Sequence, residues 1–274
     1  MTALDLIADW PVPVASAAVV GPTGLLAHRG DVNREYRLAS VTKPLVARAA
    51  QVAVEEGVLE LDTPAGPPGS TVRHLLSHAS GLSVQSNEVV AEPGVKRVYS
   101  NYGFSVLAES VERHSGIEFG GYLTEAVFEP LGMSSSRLDG GAATAGYGAV
   151  STVADLVRFA GDLLMPRTVS EVMHADAVSV QFPGLGGLLP GFGVKRPNDW
   201  GLGFEIRAHK SPHWTGTTNS PETFGHFGQS GTFLWVDPVV RLAVVVLTDR
   251  DFGDWAKPLW PAISDEVMRE FSGH

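Results

Sequence analysis

Ser40-Val41-Thr42-Lys43 heads an apolar run from Leu45 to Val54, with Pro44 directly after it and Gly57 closing the run. Proline is best tolerated in a helix's first turn and glycine just past its last, so this punctuation predicts one helix over about residues 41–56, with Ser40 at its mouth. Leu45, Val46, Ala47, Ala49, Ala50, Val52, Ala53 and Val54 lie on every side of that helix, and a helix that is apolar all round belongs in the middle of a domain. Only Arg48 and Gln51 interrupt it. Three residues apart on a helix, Ser40 and Lys43 share a face, which brings the ammonium within reach of the hydroxyl. The helix N-terminus adds partial positive charge and unpaired N–H groups, both favourable to an oxyanion. A nucleophile, a base and an oxyanion donor therefore coincide. Ser-x-x-Lys is also a common tetrapeptide, and a serine at a helix mouth is equally a capping residue, so the rest of the chain carries the decision.

The chain has 274 residues, 44% of them hydrophobic and 18% charged, which places it with ordinary globular proteins having ample core. Thirty acidic residues against 20 basic ones give a net charge of −10, which argues against nucleic acid or an anionic membrane as partner. With no cysteine, disulfides, thiolate zinc sites and a cysteine nucleophile are excluded. Met1 to Trp10 is acidic and lacks a basic segment followed by an apolar one, unlike a secretory signal. No apolar stretch reaches the length of a membrane span. The expectation is a cytoplasmic enzyme, although a secreted chain trimmed of its leader reads the same.

On either side of the Ser40 helix the chain changes character. Val14–Val20 and Leu25–Arg29 flank Gly21-Pro22-Thr23-Gly24 and predict a hairpin. A proline- and glycine-rich loop, 64–69, precedes a short helix over 71–77. Phe104, Leu107, Ala108 and Val111 fall at helical spacing between Asn101 and His114, with Ser100 or Asn101 as cap and Gly116 as terminator. A weaker helix is expected around Tyr122–Phe128, and a clear one opens at Ser151-Thr152 and ends at Pro166. Gln181–Gly203 carries seven glycines and three prolines in 23 residues, the composition of a functional wall or lid, or of a disordered segment. Three extended runs follow (201–208, 232–236, 242–247), then an amphipathic helix over about 258–271 that holds Pro261 in its first turn. Strands at both ends with helices between them predict an α+β fold. The expected sheet subdomain comprises 1–38 and 204–274, and a mostly helical subdomain spans 39–203.

Two further polar elements complete a constellation. Tyr99-Ser100-Asn101 precedes the helix of 101–114, and His226-Phe227-Gly228 falls on or beside a late strand. Ser-x-x-Lys, Tyr-x-Asn and basic-x-Gly in this order resemble the serine β-lactamase and penicillin-binding protein superfamily, most closely its class C branch with the family VIII carboxylesterases. His74-Leu75-Leu76-Ser77-His78-Ala79-Ser80-Gly81-Leu82, Pro130-Leu131-Gly132-Met133, Ser151-Thr152-Val153-Ala154-Asp155-Leu156, Trp200-Gly201-Leu202-Gly203-Phe204 and Gly225 to Gly231 are similar to further landmarks of that branch. The resemblance implies an antiparallel sheet flanked by terminal helices, an inserted mostly helical subdomain, and a catalytic cleft between them.

Ser40 is then the expected nucleophile of an acyl-enzyme, with Tyr99 as principal base and Lys43 beside it favouring the phenolate. Free lysine and tyrosine titrate at about 10, so each must be tuned by the other and by burial. By family geometry the oxyanion lies between the backbone N–H groups of Ser40 and Gln229. Asn101 is expected to hold Lys43 or a substrate amide, and Gly228 and Trp214 to lie at the substrate site. Penicillin-recognising relatives begin the third motif with lysine, a permanent cation facing the substrate carboxylate; here His226 stands, mostly neutral at pH 7 to 8. That favours small carboxylic esters over β-lactams or D-amino acid amides and peptides, which form the alternative, with a catalytically idle covalent binder as a further one. A neutral imidazole is also suited to proton transfer in deacylation. No cofactor or metal is expected: His74 and His78 are four apart, but no glutamate follows His74 as in a zinc-protease helix.

Overall fold

The computed structural model describes residues 2–273. After a 3-10 turn, Ala3–Asp9, the chain forms the hairpin β1 (Ala15–Gly21) and β2 (Gly24–Arg29), the short β3 (Tyr36–Arg37), and the central helix α1 (Thr42–Glu55). The helical middle contains α2 (Val72–Leu76), α3 (Asn101–Ser115) and α4 (Phe119–Leu123). A π-turn over Thr124–Phe128 leads to α5 (Glu129–Leu131). Next come β4 (Arg137–Leu138), β5 (Ala149–Ser151), α6 (Val153–Leu164) and α7 (Glu171–Ala177), then the small hairpin β6 (Gly187–Leu189) and β7 (Gly193–Lys195). The chain ends with β8 (Glu205–Ile206), β9 (Phe224–Gly228), β10 (Thr232–Asp237), β11 (Leu242–Thr248) and α8 (Ala256–Phe271).

Six strands build one antiparallel sheet in the order β2-β1-β11-β10-β9-β8. The expected α+β fold with an antiparallel sheet is therefore present, closed by pairing of the first hairpin with the last strand. β1, β10 and β11 are buried on both faces, and side-chain alternation divides them between two cores. Ala18, Val20, Leu234, Val236, Ala243, Val245 and Leu247 face α1 and the helical middle. Ala17, Val19, Phe233, Trp235, Val244 and Val246 face the N-terminal turn and α8.

α1 is buried from Thr42 to Ala53, as its uniform apolarity predicts. The two residues that interrupt the run are also enclosed. Gln51 donates to Leu202 O at 2.9 Å and accepts from Arg48 at 3.1 Å. Arg48 lies 3.1 Å from Asp162 of α6 through Nε, off the line of a hydrogen bond, with neither side chain exposed. Asp162 also accepts from the N–H groups of Arg167 and Thr168, so one ion pair ties α1 to α6 and the segment after it.

Two details differ from the sequence expectation. α8 begins at Ala256, upstream of the apolar repeat, which puts Pro261 in the second turn of the helix rather than the first; Trp255 before it already has helical backbone angles. The 181–203 segment is well-formed chain carrying the β6–β7 hairpin, because Arg97 beneath it donates to Ser77 O at 2.6 Å, Asn198 O at 3.1 Å, Phe182 O at 3.2 Å and also Gln181 O. Among the described residues, no helix is long and apolar enough to cross a membrane.

Removing one partner of a buried ion pair strands the other charge. Arg48→Met is therefore expected to lower unfolding stability by about 3–5 kcal/mol in urea titration; a loss below about 1 kcal/mol would show that α1 is not anchored there.

Candidate active site

Ser40 lies in a single 3-10 turn, Ala39–Val41, directly before α1. The turn is held from two sides. Leu38 N–H donates to Ala149 O at 2.9 Å, and Thr232 Oγ1 donates to Leu38 O at 2.8 Å. Ala39 takes φ 45°, a left-handed conformation that non-glycine residues seldom adopt and that surrounding structure must impose. Gly228 permits the approach: a Cβ there would sit 2.2 Å from Leu38 O. Gly228 is therefore a packing residue and not part of the cavity lining, a correction to its expected place among the substrate contacts.

Lys43 is fully buried at the second position of α1. Its Nζ lies 2.6 Å from Asn101 Oδ1, 2.8 Å from Gly146 O and 3.3 Å from Ser40 Oγ. The rings of Tyr99 and Phe104 lie 4.5 and 5.4 Å away. Among the described residues no carboxylate pairs with it. Burial without a counter-charge pulls its pKa well below the ordinary lysine value. The ammonium form donates to all three oxygens; on losing a proton the amine keeps two hydrogens for the two carbonyl oxygens and turns a lone pair to Ser40. The Gly146 carbonyl is a partner that sequence patterning gave no means of finding, because a backbone acceptor carries no residue signature.

Tyr99 donates from its hydroxyl to Ser40 Oγ at 2.7 Å. The residue as a whole is half-buried, and burial around the phenol raises its pKa despite the bond to Ser40. His78 packs on the ring at 4.6 Å between centroids and accepts the Ser100 N–H through Nδ1 at 3.2 Å, while Ser100 caps α3 by accepting from Gly103 N–H at 2.8 Å. The cap that starts α3 thereby also orients Tyr99 and Asn101.

Ser40, Tyr99, Asn101, His226 and Gln229 line one cavity of about 190 Å³, together with Leu189, Pro190, Trp200, Glu205 and Phe227. The 181–203 segment is thus a wall of this cavity. His226 is buried, and its Nδ1 lies 2.6 Å from Phe227 O, an acceptor, so that nitrogen carries the hydrogen. Burial, and then Lys43, depress its pKa to about 3, which keeps the imidazole neutral. Gln229 donates from its side-chain amide to Phe252 O at 3.2 Å.

Trp214 does not line the cavity. It is buried behind it, with Nε1 donating 2.9 Å to Glu205 Oε2 and its ring packed on Phe227 and Phe233, because the stretch around it folds inward to cover a carboxylate. That carboxylate, Glu205, is the feature the sequence reading missed. Lys210 and His213 also bond to it, His213 through Nε2 at 2.9 Å while its Nδ1 accepts Thr215 N–H at 3.2 Å. Burial opposes ionisation of Glu205, yet these donors hold its carboxyl below the usual range. A glutamate inside an otherwise apolar run, followed closely by lysine and histidine, was the available signal. His74 instead bonds Thr71 at the start of α2, and among the described residues no group of side chains suits a metal ion.

The profile of the Beta-lactamase family matches residues 13–266. The crystal structure of a beta-lactamase from Mycobacterium bovis is 72% identical and superposes with a TM-score of 0.99, covering 99% of this chain and 100% of that one. Penicillin-binding protein 4* of Bacillus subtilis is 29% identical over 139 residues, 39% of this chain and 31% of its own length, so the match spans about a third of that relative. EstCE1, a hydrolase with promiscuous acyltransferase activity, shares the fold at a TM-score of 0.78 and 18% identity, over 96% of this chain and 95% of that one. With the family match running through nearly the whole sequence, the chain belongs to the Beta-lactamase family.

Proposed function

We propose that the protein hydrolyses small-molecule carboxylic esters through an acyl-enzyme on Ser40. The hydrogen-bond chain Tyr99–Ser40–Lys43 is the observation that carries this reading. Ser40 Oγ attacks the ester carbonyl carbon as its proton passes to Lys43 Nζ, the neutral amine. Lys43, rather than Tyr99, is the better base: burial moves the lysine toward its neutral form and the phenol toward its protonated form. Negative charge on the carbonyl oxygen is met by the backbone N–H groups of Ser40 and Gln229. Tyr99, on the other side of Oγ, gives its proton to the departing alcohol oxygen, and Lys43 restores that proton. Water then takes the place of the alcohol and frees the acid.

Ester specificity is supported by His226. A neutral imidazole offers no permanent cation for a substrate carboxylate, and the cavity around it is walled by Leu189, Pro190, Trp200 and Phe227. EstCE1, alike in fold, is consistent with such chemistry. A second reading, hydrolysis of β-lactams or D-amino acid amides, is favoured by the 72% identical relative and by the penicillin-binding protein match.

A short p-nitrophenyl ester and a chromogenic cephalosporin, given to wild type and Ser40→Ala, separate the two. Ester turnover that vanishes in Ser40→Ala, with little cephalosporin turnover, is the expected pattern; faster cephalosporin turnover would install the second reading. Persistent mass addition at Ser40 without turnover would mark a covalent binder.

The roles of Lys43 and Tyr99 separate by leaving group. Lys43→Arg, permanently charged, is expected to lose about 10²–10⁴-fold in kcat/KM on every ester. Tyr99→Phe should lose far less on p-nitrophenyl esters, whose phenolate departs without a proton, than on alkyl esters. Equal losses for Tyr99→Phe on both would return the base role to Tyr99. In wild type, kcat/KM should fall as pH drops through the Lys43 ionisation, well below the ordinary lysine range, because the ammonium cannot accept the serine proton.

A further inference from the structure

Beside the Ser40 cavity runs a second, larger groove of about 520 Å³, and Tyr99 lines both. One bank is the segment before α3, and the other is the β6–β7 hairpin. Val84, Val90 and Val95 on the first bank and Leu188 and Val194 on the second are about half exposed or more. An apolar patch of this kind, concentrated along one channel, marks a contact surface rather than scattered surface residues.

The banks are built rather than loose. Arg97 and Gly187 form a β-bridge at the groove floor, and a Cβ on Gly187 would lie 2.2 Å from Arg97 O, so only glycine lets the two segments meet. Arg97 itself is buried and held by Ser77, Asn198 and the 181–182 carbonyls. On the first bank Val84 O accepts the N–H groups of Asn101 and Tyr102 at 2.9 and 3.1 Å, which joins that bank to the helix start presenting Asn101.

Charge in the groove runs against the charge of the protein. The chain carries 30 acidic and 20 basic residues, yet the groove is lined by Lys96 and Arg196 and by no aspartate or glutamate. Apolar banks with a pair of exposed cations suit an apolar chain that carries an anionic group.

We propose that this groove is a second substrate subsite, which holds an apolar chain bearing an anionic group and passes it beside Tyr99 toward Ser40. The inference rests on the ester-hydrolase reading for its word "substrate"; its ligand chemistry rests on the groove alone. The reacting carbonyl occupies the small cavity, and the chain attached to it lies along the valine banks with its anion at Lys96 and Arg196.

Binding and turnover test the two parts separately. In calorimetric titration of Ser40→Ala, dodecanoate below its micellar concentration is expected to bind, and dodecyltrimethylammonium to bind about tenfold more weakly. Leu188→Asp should weaken dodecanoate binding about tenfold, and Lys96→Glu with Arg196→Glu should reverse the preference between the two amphiphiles. Circular dichroism and thermal melting establish that each variant is folded. Absence of dodecanoate binding, equal binding of both amphiphiles, or binding that ignores all these substitutions would overturn the proposal. For the substrate role, the ratio of kcat/KM for p-nitrophenyl dodecanoate to that for the acetate should fall in Leu188→Asp. An unchanged ratio with intact binding would show that the groove serves something other than the reaction. Failure of wild type to hydrolyse any ester would sink the function proposed above while the titrations still decide the groove.

Discussion

Burying Lys43 without a counter-charge is the constraint on which the site depends. An ammonium taken out of water costs several kcal/mol unless it is paired, and the usual escape is loss of the proton. Here the enclosing groups are two carbonyl oxygens, two aromatic rings and the Ser40 hydroxyl, a set that accepts hydrogen bonds without supplying negative charge. Every element around the lysine serves that enclosure: α1 carries it, the start of α3 brings Asn101, and the turn before β5 brings Gly146. The same packing that makes the lysine expensive as a cation makes it useful as an amine.

Much of this was legible in residues. The all-round apolarity of Leu45 to Val54 announced a central helix, and the polar pair that interrupts it, Arg48 and Gln51, proved to be buried glue rather than a solvent face. Ser40, Lys43, Tyr99 and Asn101 carry side-chain functions at helix mouths, where spacing and capping rules operate, and the structure brings all four together. What stayed hidden depends on long-range closure. Gly146 contributes only a carbonyl. Glu205 reads as one residue within the extended run 201–208, and Lys210 and His213 follow that run, until the chain folds over them. Trp214 differs the other way: expected at the substrate site, it turns inward with its neighbour His213 to satisfy a carboxylate.

The buried Glu205 cluster gives one end of the cavity a character unlike the rest. Its carboxylate is saturated by Lys210, His213 and Trp214, so although it borders the cavity it has little capacity left for a ligand. A fully satisfied buried network is stiff, and a partly satisfied one is costly. That end is therefore best understood as a fixed floor, against which the 181–203 wall, resting on Arg97, sets the remaining shape.

The sheet that supports the Ser40 turn is sewn from the two ends of the chain. Ala15 of β1 faces Thr248 of β11, and the core that receives α1 includes Ala243, Val245 and Leu247. A growing polypeptide on the ribosome accordingly exposes a helix destined to be buried from Thr42 to Ala53 long before its docking surface has been made. The turn at Ser40 has no partner in Thr232 until the same late stage. Biosynthesis of this molecule is thus a period of waiting, in which chaperone protection of α1 matters more than the speed of any local step, and truncation before the last strand leaves an adhesive fragment rather than a weakened enzyme.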